Sequence, residues 1–118
     1  MIAIIFEFTP ATGRKQDYLD LAAGLSAEVK DFDGFISIER FESITHPGRF
    51  VSLSWWRDED AVRRWRNVQK HREAQKKGRG GVFSAYRLRV AQVLRDYGMQ
   101  ERGEAPADSL QFHARVHG

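Results

Sequence analysis

Cysteine is absent from this chain of 118 residues, and proline and methionine are scarce, with three and two copies. Without cysteine there is no disulfide framework, thiolate metal site, iron–sulfur cluster or cysteine nucleophile, and a reducing compartment is the default expectation. Long apolar runs are also missing. The longest, residues 1–6, is far short of the roughly 20 residues of a membrane helix, and no basic segment precedes it as in a signal peptide. We therefore expect a cytoplasmic protein with no membrane partner.

Charge is unevenly distributed along the chain. Residues 1–60 contain 6 Lys and Arg against 11 Asp and Glu, a net of −5, whereas residues 61–118 contain 13 against 5, a net of +8. The basic stretch within residues 63–79 is of a kind that can attract polyanions. Because no RNA-binding or DNA-binding signature accompanies it, a solvated helix face followed by an exposed loop is favoured. We expect no nucleic-acid partner.

The first third of the sequence predicts a strand followed by a helix. Hydrophobic residues make up 42% and charged residues 30% of a length that suits one globular domain. Residues 2–9 are β-branched and aromatic, as in a strand, and both faces of this strand are largely apolar. Thr12 is predicted to cap a helix over residues 13–30, in which Tyr18 belongs to the apolar face.

The middle of the sequence predicts a β-hairpin. Residues 35–43 alternate in polarity, residues 45–48 have the composition of a turn, and residues 49–56 form the returning strand. Strict alternation gives the first strand two faces: one carries Ile36, Ile38 and Arg40, and the other carries Phe35, Ser37, Glu39 and Phe41.

A second helix and a last strand follow. Asp58 is a suitable N-cap, and the apolar stripe after it comprises Ala61, Val62, Trp65 and Val68. Residues 82–97 are predicted as a strand, while the last twenty residues have no periodicity. We therefore expect a domain over residues 1–97 and an extended arm or tail over residues 98–118.

The order β-α-β-β-α-β predicts an α+β, ferredoxin-like fold: one antiparallel four-stranded sheet with two helices on one face. Several strands have apolar residues on both faces, yet the helices can cover only one. A second copy of the chain would cover the other face, so we expect a homodimer whose two sheets pack as an α+β barrel.

Several segments, taken in order and with their spacing, resemble the antibiotic biosynthesis monooxygenase (ABM) superfamily. They are MIAIIFEFTPATG, GFISIERFES, PGRFVSLSWWRDEDAVRRWR, H-x-x-A-Q-x-x-G-R and F-x-x-Y-R-x-R-V-A, which together lie within residues 1–97. The resemblance implies a dimeric α+β barrel whose enzymes add molecular oxygen to electron-rich aromatic substrates, often without metal or flavin. A related branch binds and degrades haem. In both, the pocket lies between the sheet and the helices of one protomer.

Within this resemblance, three residues are candidates for catalysis. Trp65 matches the position of a tryptophan in the haem-degrading branch, although a core position is an equally ordinary role for it. His71 would accept a proton, since its neighbours Lys70 and Arg72 favour the neutral imidazole, but it could also be an exposed or capping residue. Tyr86 would hydrogen-bond a quinone oxygen, or simply pack.

Phe6 and Phe83 are the candidate walls of the substrate pocket, and Arg79 is a candidate for contacting an anionic substrate, with an exposed loop position as its alternative. Phe6 stands where the haem-degrading branch has an asparagine, which counts against haem degradation. We therefore expect a small hydrophobic aromatic ligand, no cofactor and no metal site, with haem as the alternative cofactor. A ligand-binding dimer without catalysis is a third interpretation.

Overall fold

The computed structural model describes the backbone of residues 1–75 and 81–109, and the side chains of residues 1–69 and 81–109. The elements follow the predicted order. They are β1 (Ile2–Pro10), α1 (Lys15–Val29), β2 (Phe35–Glu42), β3 (Phe50–Trp56), α2 (Glu59–Gln75) and β4 (Phe83–Gln92).

The four strands form one antiparallel sheet in the order β2-β3-β1-β4. The central strand β1 pairs Phe8 with Phe50 of β3 on one side and with Tyr86 of β4 on the other. Directly paired residues have their side chains on the same face, so these three share one side of the sheet. This topology is ferredoxin-like and confirms the predicted α+β fold class.

Both helices pack on the side of the sheet that carries Phe8, and the core between them has two parts. The first, which we call the tryptophan cluster, consists of the buried residues Val29, Trp56, Ala61, Val62 and Trp65. The second, which we call the phenylalanine cluster, consists of the buried residues Phe8, Tyr18, Ala22 and Val82, with Phe6, Phe50 and Phe83 packed against it. The predicted apolar stripe of α2 therefore faces the core, as expected.

The two helices begin differently. In α2 the Asp58 carboxylate accepts a hydrogen bond from the backbone N–H of Ala61 at 2.9 Å, which confirms the predicted N-cap. In α1 the prediction was wrong: the helix begins at Lys15 after Arg14, and no side chain caps it. The reason is a tight turn in the preceding loop, where the Arg14 N–H donates to the Ala11 carbonyl, so that Thr12 lies too far back to cap.

A β-bulge at the start of β2 corrects the predicted faces of that strand. Phe35 lies opposite Trp56 whereas Ser37 lies opposite Trp55, so two residues of β2 match one step of β3. Phe35 consequently packs into the tryptophan cluster, with its ring centroid 5.4 Å from that of Trp56, instead of sharing a face with Ser37. Ile36 is displaced outward and is 53% exposed.

The side of the sheet opposite the helices, which we call the second face, carries Ile5, Val51, Leu53 and Trp55, all half-buried. Among them Glu7 accepts a hydrogen bond from Arg89 at 3.0 Å and a longer one from Arg49 at 3.4 Å.

The last strand is shorter than predicted and ends at Gln92, after which the Val93 N–H donates to the Met1 carbonyl. Beyond it, Arg102 organises the C-terminal part of the described chain. Its guanidinium lies over the Tyr97 ring at 5.1 Å and donates to the backbone carbonyls of Gly98 and Ser109.

Candidate functional site

Three of the predicted site residues lie together on the helix side of strands β1 and β4. The ring centroid of Phe6 is 5.5 Å from that of Phe83 and 5.6 Å from that of Tyr86, and Phe83 and Tyr86 are 6.4 Å apart. The alternation of β4 then adds Leu88 and Val90 on the same side, opposite Phe6 and Ile4 of β1. We call Phe6, Phe83, Tyr86, Leu88 and Val90 the β1–β4 surface.

The β1–β4 surface is apolar and open to solvent. Tyr86 is 69% exposed, Leu88 53% and Val90 47%, although all three lie on the helix side of the sheet. The strand order explains this exposure, because β4 is an edge strand, whereas Phe8 and Trp56, which the sheet contributes to the buried core, lie on the inner strands β1 and β3. A contiguous exposed apolar surface with one phenolic hydroxyl is suited to binding an apolar ligand that carries an oxygen.

Trp65 occupies a different part of the core. It is 9% exposed, and its ring centroid is 5.2 Å from that of Phe32 and 6.4 Å from that of Trp56. The structure therefore places Trp65 in the tryptophan cluster, whereas Tyr86 packs against Phe6 and Phe83 of the phenylalanine cluster.

The structure does not describe the side chains of the two remaining predicted site residues. His71 belongs to helix α2, but its side chain lies outside the described residues, as does Arg79 altogether. That His71 and Arg79 face the ligand stays a prediction.

The sequence did not predict that Tyr18 of α1 and Arg40 of β2 lie together beneath the helix. Tyr18 is 5% exposed, and its hydroxyl is enclosed beside the Arg40 guanidinium. Burial raises the pKa of Tyr18, and the nearby Arg40 guanidinium partly opposes that shift. Arg40 donates through Nη1 to the Ser26 hydroxyl at 2.8 Å, while its Nε is buried without a partner. The available signal was the position of Arg40, which continues an inward-facing row of β2.

A separate cavity of about 300 Å³ lies near the β2–β3 turn. Its lining includes Glu7 and Arg49, which bond each other, together with His46 of the turn and Phe41. None of the predicted site residues whose side chains the structure describes lines this cavity.

Potential metal ligands do not cluster in the part of the chain that the structure describes. There, no group of three or more histidine or carboxylate side chains is close enough to hold an ion. Within the same residues, neither helix has the length and apolar character needed to cross a membrane.

The sequence of this chain is similar to that of known proteins. A family model described as "Antibiotic biosynthesis monooxygenase" matches residues 1–77. A protein of Pyricularia oryzae named "Jasmonate monooxygenase ABM" is 46% identical over 93 residues, which are 79% of this chain and 43% of the relative. The chain thus spans less than half the length of that relative.

Two solved structures from Mycobacterium tuberculosis share the fold. Rv0793 superposes with a TM-score of 0.69 at 18% identity, covering 82% of this chain and 98% of its own. The haem degrader MhuD superposes with a TM-score of 0.64, also at 18% identity, covering 83% of this chain and 100% of its own. Together, the match over residues 1–77 and the ferredoxin-like sheet show that the chain belongs to the antibiotic biosynthesis monooxygenase family.

Proposed function

We propose that this chain is a monooxygenase that oxidises an electron-rich aromatic substrate on the β1–β4 surface without a bound cofactor. The observation that carries the proposal is the convergence of Phe6, Phe83 and Tyr86 into one exposed aromatic group on the helix side of the sheet. Apolar walls beside an exposed hydroxyl provide the two things such a reaction needs, a place for the rings and a partner for the oxygen.

The proposed reaction is balanced without an external reductant. An anthrone methylene, for example, gives up two hydrogens and becomes a carbonyl, while one oxygen atom of O₂ enters the product and the other leaves as water. The substrate supplies all four electrons. Loss of a proton from the substrate makes it a strong electron donor, so the protein must hold the substrate anion and accept that proton.

The roles of individual residues follow from their positions. Tyr86 is the group that would donate a hydrogen bond to the substrate oxygen, because its side chain is exposed beside the rings of Phe6 and Phe83. Trp65 would act as a positioning residue, since it supports the fold from within the tryptophan cluster. His71 is proposed as the proton acceptor and Arg79 as a contact for the substrate anion.

The test is oxygen consumption with anthrone and 1,4-dihydroxynaphthalene, two electron-rich aromatic compounds that can supply the electrons themselves. Tyr86→Phe is expected to lower the rate by about tenfold to a hundredfold without unfolding the exposed site. Tyr97→Phe, which also removes a phenol from the surface, is the matched control and should leave the rate unchanged. Absence of oxygen uptake with every substrate would leave a non-catalytic binding protein and reject the proposal.

His71→Ala and Trp65→Phe complete the series, with different expectations. His71→Ala should lower the rate, because it removes the proposed proton acceptor. Trp65→Phe replaces a buried indole that packs on Phe32 with a smaller ring and leaves a cavity. It should therefore also lower the free energy of unfolding by about 1–3 kcal/mol. Its rate must therefore be compared at a temperature where both proteins are folded.

Haem is the second candidate ligand, favoured by the superposition on MhuD. The described side chains contain one histidine, His46, which lies in the β2–β3 turn and away from the β1–β4 surface. An imidazole ligand for haem at that surface would therefore have to come from outside the described side chains, with His71 as the candidate. Titration of the purified protein with haem decides between the two: a saturable Soret shift that His71→Ala abolishes would favour haem.

A further inference from the structure

The two edges of the second face carry opposite charges. The strand order β2-β3-β1-β4 makes β2 and β4 the edge strands. On this face β2 contributes Glu39, which lies opposite Leu53. Strand β4 contributes Arg89, opposite Ile5, and Arg87, two residues before it. The second face therefore has an acidic edge and a basic edge, with an apolar centre between them.

Two of these charges have no partner within the described residues. Glu39 and Arg87 are exposed, and neither forms an ion pair or a side-chain hydrogen bond in that part of the chain. Arg89 differs, because it bonds Glu7 at 3.0 Å. One unmatched charge of each sign thus borders the apolar centre, where a second molecule can reach it.

The same face is also uneven in shape. Trp55 of β3 lies opposite Ala3 of β1, and Ala3 lies opposite Ala91 of β4. In this row the bulky side chain belongs to the β2–β3 half of the face, and the two short side chains belong to the β1–β4 half. A second copy with its two halves exchanged would bring its indole over the alanines, as close packing at an interface requires.

The charges discriminate between the two ways in which two copies can pack sheet to sheet. The two-fold axis between the copies runs either along the strands or across them. An axis along the strands lays β2 on β4 of the other copy, so that each acidic edge meets a basic edge. An axis across the strands lays each edge on its own counterpart, so that acidic meets acidic and basic meets basic. Like charges brought together oppose association, which favours the axis along the strands.

We propose that two copies of this chain associate through the second face about a two-fold axis along the strands, and that Glu39 of each copy pairs with Arg87 of the partner subunit. Arg87 lies two residues, about 7 Å, along β4 from the level of Glu39. Extended glutamate and arginine side chains together cover that offset and the gap of about 10 Å between facing sheets. The pairs lie at the rim of the interface, where charge determines orientation, while the apolar centre supplies affinity. The β1–β4 surface stays open, because it lies on the other side of the sheet.

Charge reversal tests the pairing. Glu39→Lys and Arg87→Glu should each raise the dimer dissociation constant by about tenfold or more at low salt, measured by sedimentation velocity, and by less at high salt. The double variant restores opposite charges and should return the constant to within about threefold of that of the unmodified protein. Glu59→Lys, which reverses an exposed charge at the start of α2, is the matched control and should leave the constant unchanged.

Single cysteines test the orientation, because the chain has none of its own. Glu39→Cys and Arg87→Cys proteins are purified separately, treated with a short bismaleimide either alone or after mixing and subunit exchange, and resolved on a denaturing gel. Covalent dimers are expected only from the mixture, since position 39 of one copy faces position 87 of the other. With an axis across the strands, each protein would instead crosslink with itself.

Three outcomes would overturn the proposal. The unmodified protein could be monomeric at micromolar concentration, which would leave the second face to a different partner. The mixture of cysteine variants could yield no more covalent dimer than either protein alone, or the double charge reversal could dissociate as readily as the single ones. Either of the last two results would mean that Glu39 and Arg87 do not meet across the interface.

Discussion

At the scale of single residues, the features that could be predicted are those whose causes are local. The Asp58 cap depends on an acceptor three residues before a free N–H, and it is present as expected. The partnership of Tyr18 and Arg40 has no such local signal, because the two residues are 22 positions apart and meet only when α1 packs on β2. The sequence predicted that Tyr18 belongs to the apolar face of a helix, but it could not show that the hydroxyl of Tyr18 is enclosed.

Tyr18 should make the stability of the protein sensitive to high pH. Burial raises its pKa in the folded state, so the folded protein holds the phenolic proton more tightly than the unfolded chain does. The associated stability is fully present below pH 10, the ordinary pKa of tyrosine, and is lost as the pH rises through the higher pKa of the folded protein.

Tyr18→Phe is therefore expected to reduce the loss of stability between pH 8 and pH 11, measured by urea unfolding. At neutral pH the same variant should lower the free energy of unfolding by about 1 kcal/mol, because it removes the contact of the hydroxyl with the Arg40 guanidinium. Equal alkaline losses in the two proteins would contradict this prediction. Tyr97→Phe, at a more exposed position, serves as the control.

At the scale of elements, hydrophobic periodicity predicted the order and type of the strands and helices. It did not predict the one extra residue at the start of β2. Strict alternation assigned Phe35 to the same face as Ser37, but because of the bulge the Phe35 side chain packs into the tryptophan cluster. A bulge preserves the composition of a strand and changes only its register, so the sequence pattern carries no trace of it.

The turn into β2 is fixed by close packing at Gly34. Its φ is +93°, and a Cβ atom built there would lie 2.3 Å from the Cβ of Ala61, which is fully buried. The turn is also tied to the end of β3, since the Arg57 N–H donates to the Gly34 carbonyl and the Arg57 guanidinium holds Asp33 through two hydrogen bonds of 3.0 and 3.1 Å.

Gly34→Ala is expected to lower the free energy of unfolding by about 2–4 kcal/mol, from the clash and the left-handed backbone together. Two other glycines separate these causes by urea unfolding. Gly13 has the same left-handed backbone, with φ of +77°, but nothing lies near the position of its Cβ. Gly13→Ala should therefore lower the free energy of unfolding by about 1 kcal/mol. Gly24→Ala lies in the exposed part of α1 with nothing near its Cβ and should stabilise by about 0.5–1 kcal/mol. A Gly34→Ala protein as stable as Gly13→Ala would contradict the packing argument.

At the scale of the whole molecule, the sheet has two apolar sides, and the helices cover one of them. The helix side provides the core and, at its β4 edge, the proposed substrate surface. The second face combines Ile5, Val51, Leu53 and Trp55 with an ion pair of Glu7 and Arg89 near its centre. An apolar sheet face that the helices leave uncovered is typical of a surface that packs against another protein.

We therefore predict that the protein is a homodimer joined through the second face, and that the two sides of the sheet can be perturbed separately. Leu53→Glu would bury an unpaired charge between two copies and should raise the dimer dissociation constant by about a hundredfold or more, measured by sedimentation velocity at micromolar concentration. Leu88→Glu makes the same change on the opposite side of the sheet. It should leave the dimer intact and weaken binding of the aromatic substrate instead. If the unmodified protein sediments as a monomer, or if Leu88→Glu rather than Leu53→Glu dissociates it, the second face does not join two copies.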